Sequence, residues 1–217
     1  MLTLLLGPAV LALWLLVTLL SAVACRRRWP EQRELSRKVV HIGTGAVVPL
    51  AWWFSIAKPL ALTVAALVTV LIALNHRWRW FAAMEDVDRR SIGTVAYAAA
   101  ITVLLALFWP QRPDAVCSAV LVMAFGDGLA GLIGRGMTSP QWTVIGQRKS
   151  LAGTLTMTLV SLTVLLGVGW LGNANPSPLT LAVITASAVL LEQFSAGGID
   201  NLTVPISVGL LWEQLVR

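Results

Sequence analysis

The chain has 217 residues, 57% of them hydrophobic and 12% charged, with a formal net charge of +6. A soluble domain of ordinary composition holds about 25% charged residues, so this balance excludes a typical water-soluble fold and specifies a polytopic membrane protein. An isoelectric point near 10.4 raises nucleic acid as a partner, but the placement of the basic residues argues against it.

Eight apolar segments follow in chain order, at about 2–24, 39–56, 59–75, 93–110, 115–134, 151–171, 179–195 and 202–216. Most approach the roughly 20 residues that span a bilayer as a helix. The second, third and eighth are short, and the last could be a tilted or re-entrant helix. The predicted fold is therefore all-α, a polytopic membrane helix bundle with seven or eight transmembrane segments. The first segment is long and is followed, not preceded, by basic residues, unlike a cleaved signal peptide. It forms, with its basic flank, an N-terminal unit (1–30) ahead of a membrane-embedded domain (31–217).

With the N-terminus outside, the gaps on the inner side hold Arg26, Arg27, Arg28, Arg33, Arg37, Lys38, Arg77, Arg79, Arg89, Arg90, Arg135, Arg148 and Lys149. The outer gaps hold only Lys58, Arg112 and Arg217. This is the positive-inside pattern, and it accounts for the basicity with no nucleic acid partner. Cys25 and Cys117 then fall at opposite faces and read as inert apolar residues, not as a disulfide.

The longest inner gaps are 75–92 and 135–150. The first, NHRWRWFAAMEDVDRRSI, reads as an interfacial helix anchored by Trp78, Trp80 and Phe81 with snorkelling arginines. The alternative is a role for Glu85, Asp86 or Asp88 at the edge of a metal site. The longest outer gap, GNANPSP (172–178), is a neutral turn. The chemistry-bearing residues therefore concentrate on the cytosolic side, where nucleotides and magnesium are found.

Four constellations lie there. In ELSRKVVHIGTG (34–45) Arg37 and Lys38 precede His41 by four and three residues, so all three can share a helix face. They suit a polyphosphate, or equally a positive-inside anchor with a buried histidine. FGDGLAGLIGRG (125–136) contains a literal GxGxxG at Gly126, Gly128 and Gly131. That spacing marks a dinucleotide fold only after a strand; in a membrane helix it suits close packing of small residues. Asp127 is different, because packing does not require an acid, and an ionised group in hydrocarbon costs roughly 2.5–3.5 kcal/mol or more. GQRKSLAGT (146–154) places Arg148, Lys149 and Ser150 at the start of the sixth segment. There cations, helix dipole and backbone N–H groups could hold phosphate, or Ser150 could serve as an N-cap. EQFSAGGIDNLTVP (192–205) holds Glu192 in an apolar segment and then Asp200 and Asn201. These read either as a helix cap after a glycine turn or as a second carboxylate site, with Asp127, for Mg²⁺.

Taken in order, RKVVHIGTG, GDGLAGLIGR, KSLAGT and DNLTVP resemble the CTP-dependent lipid-alcohol kinase family: phytol or farnesol kinase, dolichol kinase and yeast-type diacylglycerol kinase. The resemblance spans roughly 34–206, and KSLAGT is most similar to the phytol kinase type, because Ala152 stands where related motifs carry Glu. It implies a kinase-like domain that transfers the γ-phosphate of CTP to the hydroxyl of an isoprenoid alcohol in the bilayer. It also implies Mg²⁺ held by Asp127 with Asp200, and nucleotide or phosphate contacts from Arg37, Lys38, Arg135, Lys149, Ser150, Gly153 and Asn201. The proton acceptor is open among Asp127, Asp200 and His41. Rival readings are a phosphatidate cytidylyltransferase, whose C-terminal DRxD-like signature is absent from this chain, a diacylglycerol kinase, and a small transporter with Asp127 and Glu192 on an ion path. The near absence of polar groups in the outer half argues against transport.

Overall fold

A computed structural model describes residues 2–78 and 91–216 of the chain, with side chains described from residue 6. Trp80, Phe81, Glu85, Asp86 and Asp88 lie outside the described residues. Among the described residues the architecture is a helix bundle with one short hairpin, the all-α membrane bundle predicted from the apolar pattern.

Four helices are long and apolar enough to cross a membrane: Leu6–Arg28, Lys58–Trp78, Pro113–Gly136 and Leu151–Leu171. Gly93–Phe108 and Pro178–Gln193 are shorter apolar helices. The first element, α1 (Leu2–Arg28), packs against α2 (Arg33–Gly45) and α3 (Val47–Trp53). The predicted second segment is thus two helices, broken at Ala46. Pro49 supplies the reason: it has no N–H, and its ring crowds the carbonyl four residues earlier, that of Gly45. Helix α4 (Lys58–Trp78) packs along α5 (Gly93–Phe108).

The central spanning helix consists of α6 (Pro113–Leu121), a π-helical turn (Val122–Asp127) and α7 (Gly128–Gly136). It is the most buried of the four long helices. Val116, Val120, Val122 and Met123 are fully enclosed there, packed with Leu165, Ile184, Val208 and Trp212 from the later helices. The π turn widens the helix by one residue, a distortion common at functional sites, and its last residue is Asp127. Small residues let neighbours close in on this helix: a Cβ at Gly126 would lie 2.7 Å from Met157 Sδ, which is the packing role expected of the GxGxxG glycines.

The gap after α7 forms an antiparallel hairpin, β1 (Gln141–Val144) and β2 (Gln147–Ser150). Its two-residue turn uses Ile145 and Gly146 at φ 47° and 71°, the left-handed pair that matches strand twist. Then come α8 (Leu151–Leu171), α9 (Pro178–Gln193) and α10 (Asp200–Leu215). Gly197 and Gly198, at φ 65° and 87°, make the turn into α10. At the end of the bundle away from the hairpin, Arg112 bonds both oxygens of Asp114, the Val216 carbonyl and Glu213, while Trp212 donates to Asp114 at 2.8 Å. Cys25 and Cys117 are both free thiols.

Candidate active site

The site is built where the N-terminal end of α2 crosses the π turn. Lys38 donates to Asp127 Oδ2 at 2.7 Å and to the Asp127 carbonyl at 3.1 Å. The lysine is only 4% exposed, and its stem passes over Gly131, where a Cβ would stand 2.9 Å from Lys38 Cε. One turn further on, His41 Nε2 lies 3.5 Å from Asp127 Oδ2 and 3.2 Å from the Met123 carbonyl. A carbonyl only accepts, so the partner assigns the proton to Nε2. Tyr97 of α5 stacks against the imidazole with ring centroids 4.4 Å apart. The carboxylate that is anomalous in an apolar helix is thus paired with a buried lysine.

Around this pair the other charges are arranged in couples. Glu34 accepts from Arg37 at 3.1 and 2.5 Å and from Arg135 at 3.2 Å. Burial pushes the Glu34 carboxyl up, but the Arg37 hydrogen bond and the charges of Arg37, Arg135 and Lys38 outweigh it and hold the group below its usual 4.5. Lys149 donates to Glu192 Oε1 at 2.5 Å and to the Glu192 carbonyl at 2.6 Å. Arg148 is exposed on the hairpin and has no ion-pair partner among the described residues. At the start of α10, Asp200 Oδ1 accepts from the Asn201 N–H at 3.0 Å. Asn201 is buried, and its Oδ1 has no hydrogen-bond partner.

All of these groups line one cavity of about 810 Å³. It brings together Arg37, Lys38, His41, Asp127, Arg135, Lys149, Ser150, Gly153, Asp200 and Asn201, so every predicted site residue faces the same space. Among the described residues no group of three or more His, Cys, Asp or Glu could hold a metal unaided. Asp127, Asp200 and Asn201, whose Oδ1 has no partner, line this cavity; Mg²⁺ typically takes one or two carboxylates and completes its shell with substrate phosphates.

Of the two readings of Ser150, the N-cap is the one seen. Backbone N–H groups at the start of α8 have partners within the chain: Leu151 donates to Pro140 O at 2.9 Å, Ala152 to Ser139 Oγ at 3.3 Å and Gly153 to Ser150 Oγ at 3.2 Å. Ser150 is the N-cap, and its hydroxyl also donates to Gly134 O at 3.2 Å. Gly153 lets α8 approach Gly134, where a Cβ would lie 3.2 Å from Gly153 Cα. These two residues shape the wall of the cavity. Sequence reasoning missed Glu34 and Tyr97. Glu34 had a local signal, its i,i+3 spacing to Arg37; Tyr97 had none, because its partner His41 is 56 positions away in the chain.

A buried carboxylate–lysine pair in a cavity with apolar walls, inside an all-α bundle, defines a membrane-helix protein with a charged site at one end of an apolar cavity. The chain is 36% identical to phytol kinase of Synechocystis sp., over 94% of its own length and 93% of that protein. It belongs to the phytol kinase family. It is also 25% identical to the chloroplastic farnesol kinase of Arabidopsis thaliana, over 89% of this chain and 72% of that one. Phytol kinase 1 of the same plant is 26% identical over 87% and 68%. No protein-family profile matches the chain, and no solved structure does.

Proposed function

We propose that the protein transfers the γ-phosphate of CTP to the hydroxyl of an isoprenoid alcohol, phytol or geranylgeraniol or a longer polyprenol, releasing a prenyl phosphate and CDP. The observation that carries this reading is the single cavity in which Asp127, Lys38 and the cations of α2, α7 and the hairpin meet an apolar lining. A rival cytidylyl transfer would release pyrophosphate instead.

Phosphoryl transfer needs mainly positioning and charge stabilisation. Arg37, Arg135 and Arg148 line the cavity and would neutralise the triphosphate. Lys38 holds Asp127 in one orientation through Oδ2. Asp127 and Asp200, with Asn201 Oδ1, would hold Mg²⁺, which would neutralise the terminal phosphates. Nε2 of His41 is engaged with the Met123 carbonyl, which leaves His41 Nδ1 and the carboxylates of Asp127 and Asp200 as the candidate acceptors of the hydroxyl proton. In this reading the site end of the bundle faces the cytosol, with the N-terminus on the other side.

The test is direct. Purified protein in detergent, given γ-labelled CTP, Mg²⁺ and phytol or geranylgeraniol, is expected to yield labelled prenyl phosphate and CDP. Formation of pyrophosphate and a CDP-lipid would overturn the assignment.

A further inference from the structure

The cavity extends well beyond its charged end. Along α5 its lining runs from Gly93 to Ile101, about 12 Å at 1.5 Å per residue, and its walls change from polar to apolar on the way. Leu15 and Leu19 of α1 form one wall, Val68 and Ile72 of α4 the other, and Ala98 and Ile101 of α5 the floor. The spacings 15/19 and 68/72 each put both side chains on one helix face.

The two walls belong to separately anchored helix pairs. Helix α1 is fixed to α2 by Trp14 Nε1–H, which donates to the Gly43 carbonyl at 2.7 Å, and by Thr18, buried against Gly43. Helix α4 is fixed to α5 by a Thr69–Thr102 hydroxyl bond of 2.9 Å. The groove runs between these pairs, and Leu19 and Val68 on its rim are each 39% exposed. Its outer side therefore faces lipid, while its inner end is continuous with His41, Thr44 and Asp127.

We infer that the groove between α1 and α4 is the lateral entrance and seat for the apolar chain of the lipid alcohol, open to the bilayer along its length. This rests on the kinase reading above and goes further by naming the residues that hold the chain. The occupant follows from continuity: among the described residues the apolar lining continuous with Asp127 runs along this groove. Bilayer lipid is as apolar as the groove, so burial by itself gives little preference; the groove acts through shape and by aiming the hydroxyl. Because the side is open, the far end of a long chain rests in lipid, and chain length has no sharp upper limit.

Two measurements test it. A prenol bearing a photoreactive diazirine in its chain, irradiated with the wild-type protein in lipid nanodiscs, is expected to label peptides of α1 and α4, with labelling suppressed by excess phytol. Labelling confined to the α8–α9 surface, or not suppressed by phytol, would overturn the groove. In the second, Leu19→Trp and Val68→Trp narrow the rim, and the ratio of kcat/KM for phytol to that for geraniol is expected to fall at least tenfold. An unchanged ratio in folded protein would also overturn it. Competed labelling of α1 and α4 without phosphorylation of any alcohol would instead retain the groove and remove the kinase reading.

Discussion

The Lys38–Asp127 pair can be tested by a double-mutant cycle of Lys38→Met, Asp127→Asn and the two together. The pair is direct, at 2.7 Å, and both side chains are largely buried, at 5% and 16% exposure. Removing one partner of such a pair strands the other charge and costs about 3–5 kcal/mol. Methionine keeps most of the lysine stem over Gly131, so little packing is lost with the charge. For a chain of this size the expected fall in thermal midpoint is roughly 6–20 °C for either single variant. The double variant buries two neutral groups and should recover most of that loss. Intrinsic fluorescence of the detergent-solubilised protein reads the midpoint, and labelled CTP with phytol reads turnover. Activity is expected to vanish in Asp127→Asn and to stay absent in the stable double variant, which separates the role in folding from the role in chemistry. Single variants within 2 °C of wild type, on the order of 1 kcal/mol or less, would refute the reasoning, as would turnover by Asp127→Asn at the wild-type rate.

Glu34→Gln should loosen Arg37 and Arg135 and destabilise the protein at pH 7 by about 1.5–3 kcal/mol, the worth of charged hydrogen bonds. The Glu34 pKa is lowered in the folded protein, so its contribution is complete above the ordinary value and is lost as pH falls through the folded one. Midpoints of wild type and variant should therefore converge in acid, and a gap that persists there would contradict the pairing. Arg148→Ala should raise the KM for the nucleotide about tenfold, about 1.4 kcal/mol, with no change in thermal midpoint because the side chain is exposed and has no ion-pair partner among the described residues. Steady-state kinetics over a CTP titration checks this, and an unchanged KM would remove Arg148 from the nucleotide site.

The residues that make the site were legible in sequence to different degrees. Asp127 was visible because hydropathy is a local property, and one carboxylate in an apolar run stands out without knowledge of its neighbours. Arg37, Lys38 and His41 were visible as a set because helical spacing alone aligns them. Their coupling was not visible. The cations read as a phosphate site or a positive-inside anchor, whereas the structure pairs Lys38 with Asp127, Lys149 with Glu192, and Arg37 and Arg135 with Glu34. The hairpin also escaped the apolar pattern, because four-residue strands have too short a period to stand out from a polar gap.

The chain by itself determined the membrane class, the order of apolar segments, the asymmetry of charge and the presence of an acid that needed a partner. Each of these follows from residue type and near-neighbour spacing. Tertiary structure alone decided which cation meets Asp127, across 89 positions of chain, and that Ser150 and Gly153 shape a wall. It also decided that α1 and α4 leave an apolar groove between them. Those outcomes depend on how helices cross, and no local pattern encodes the contact between segments that distant.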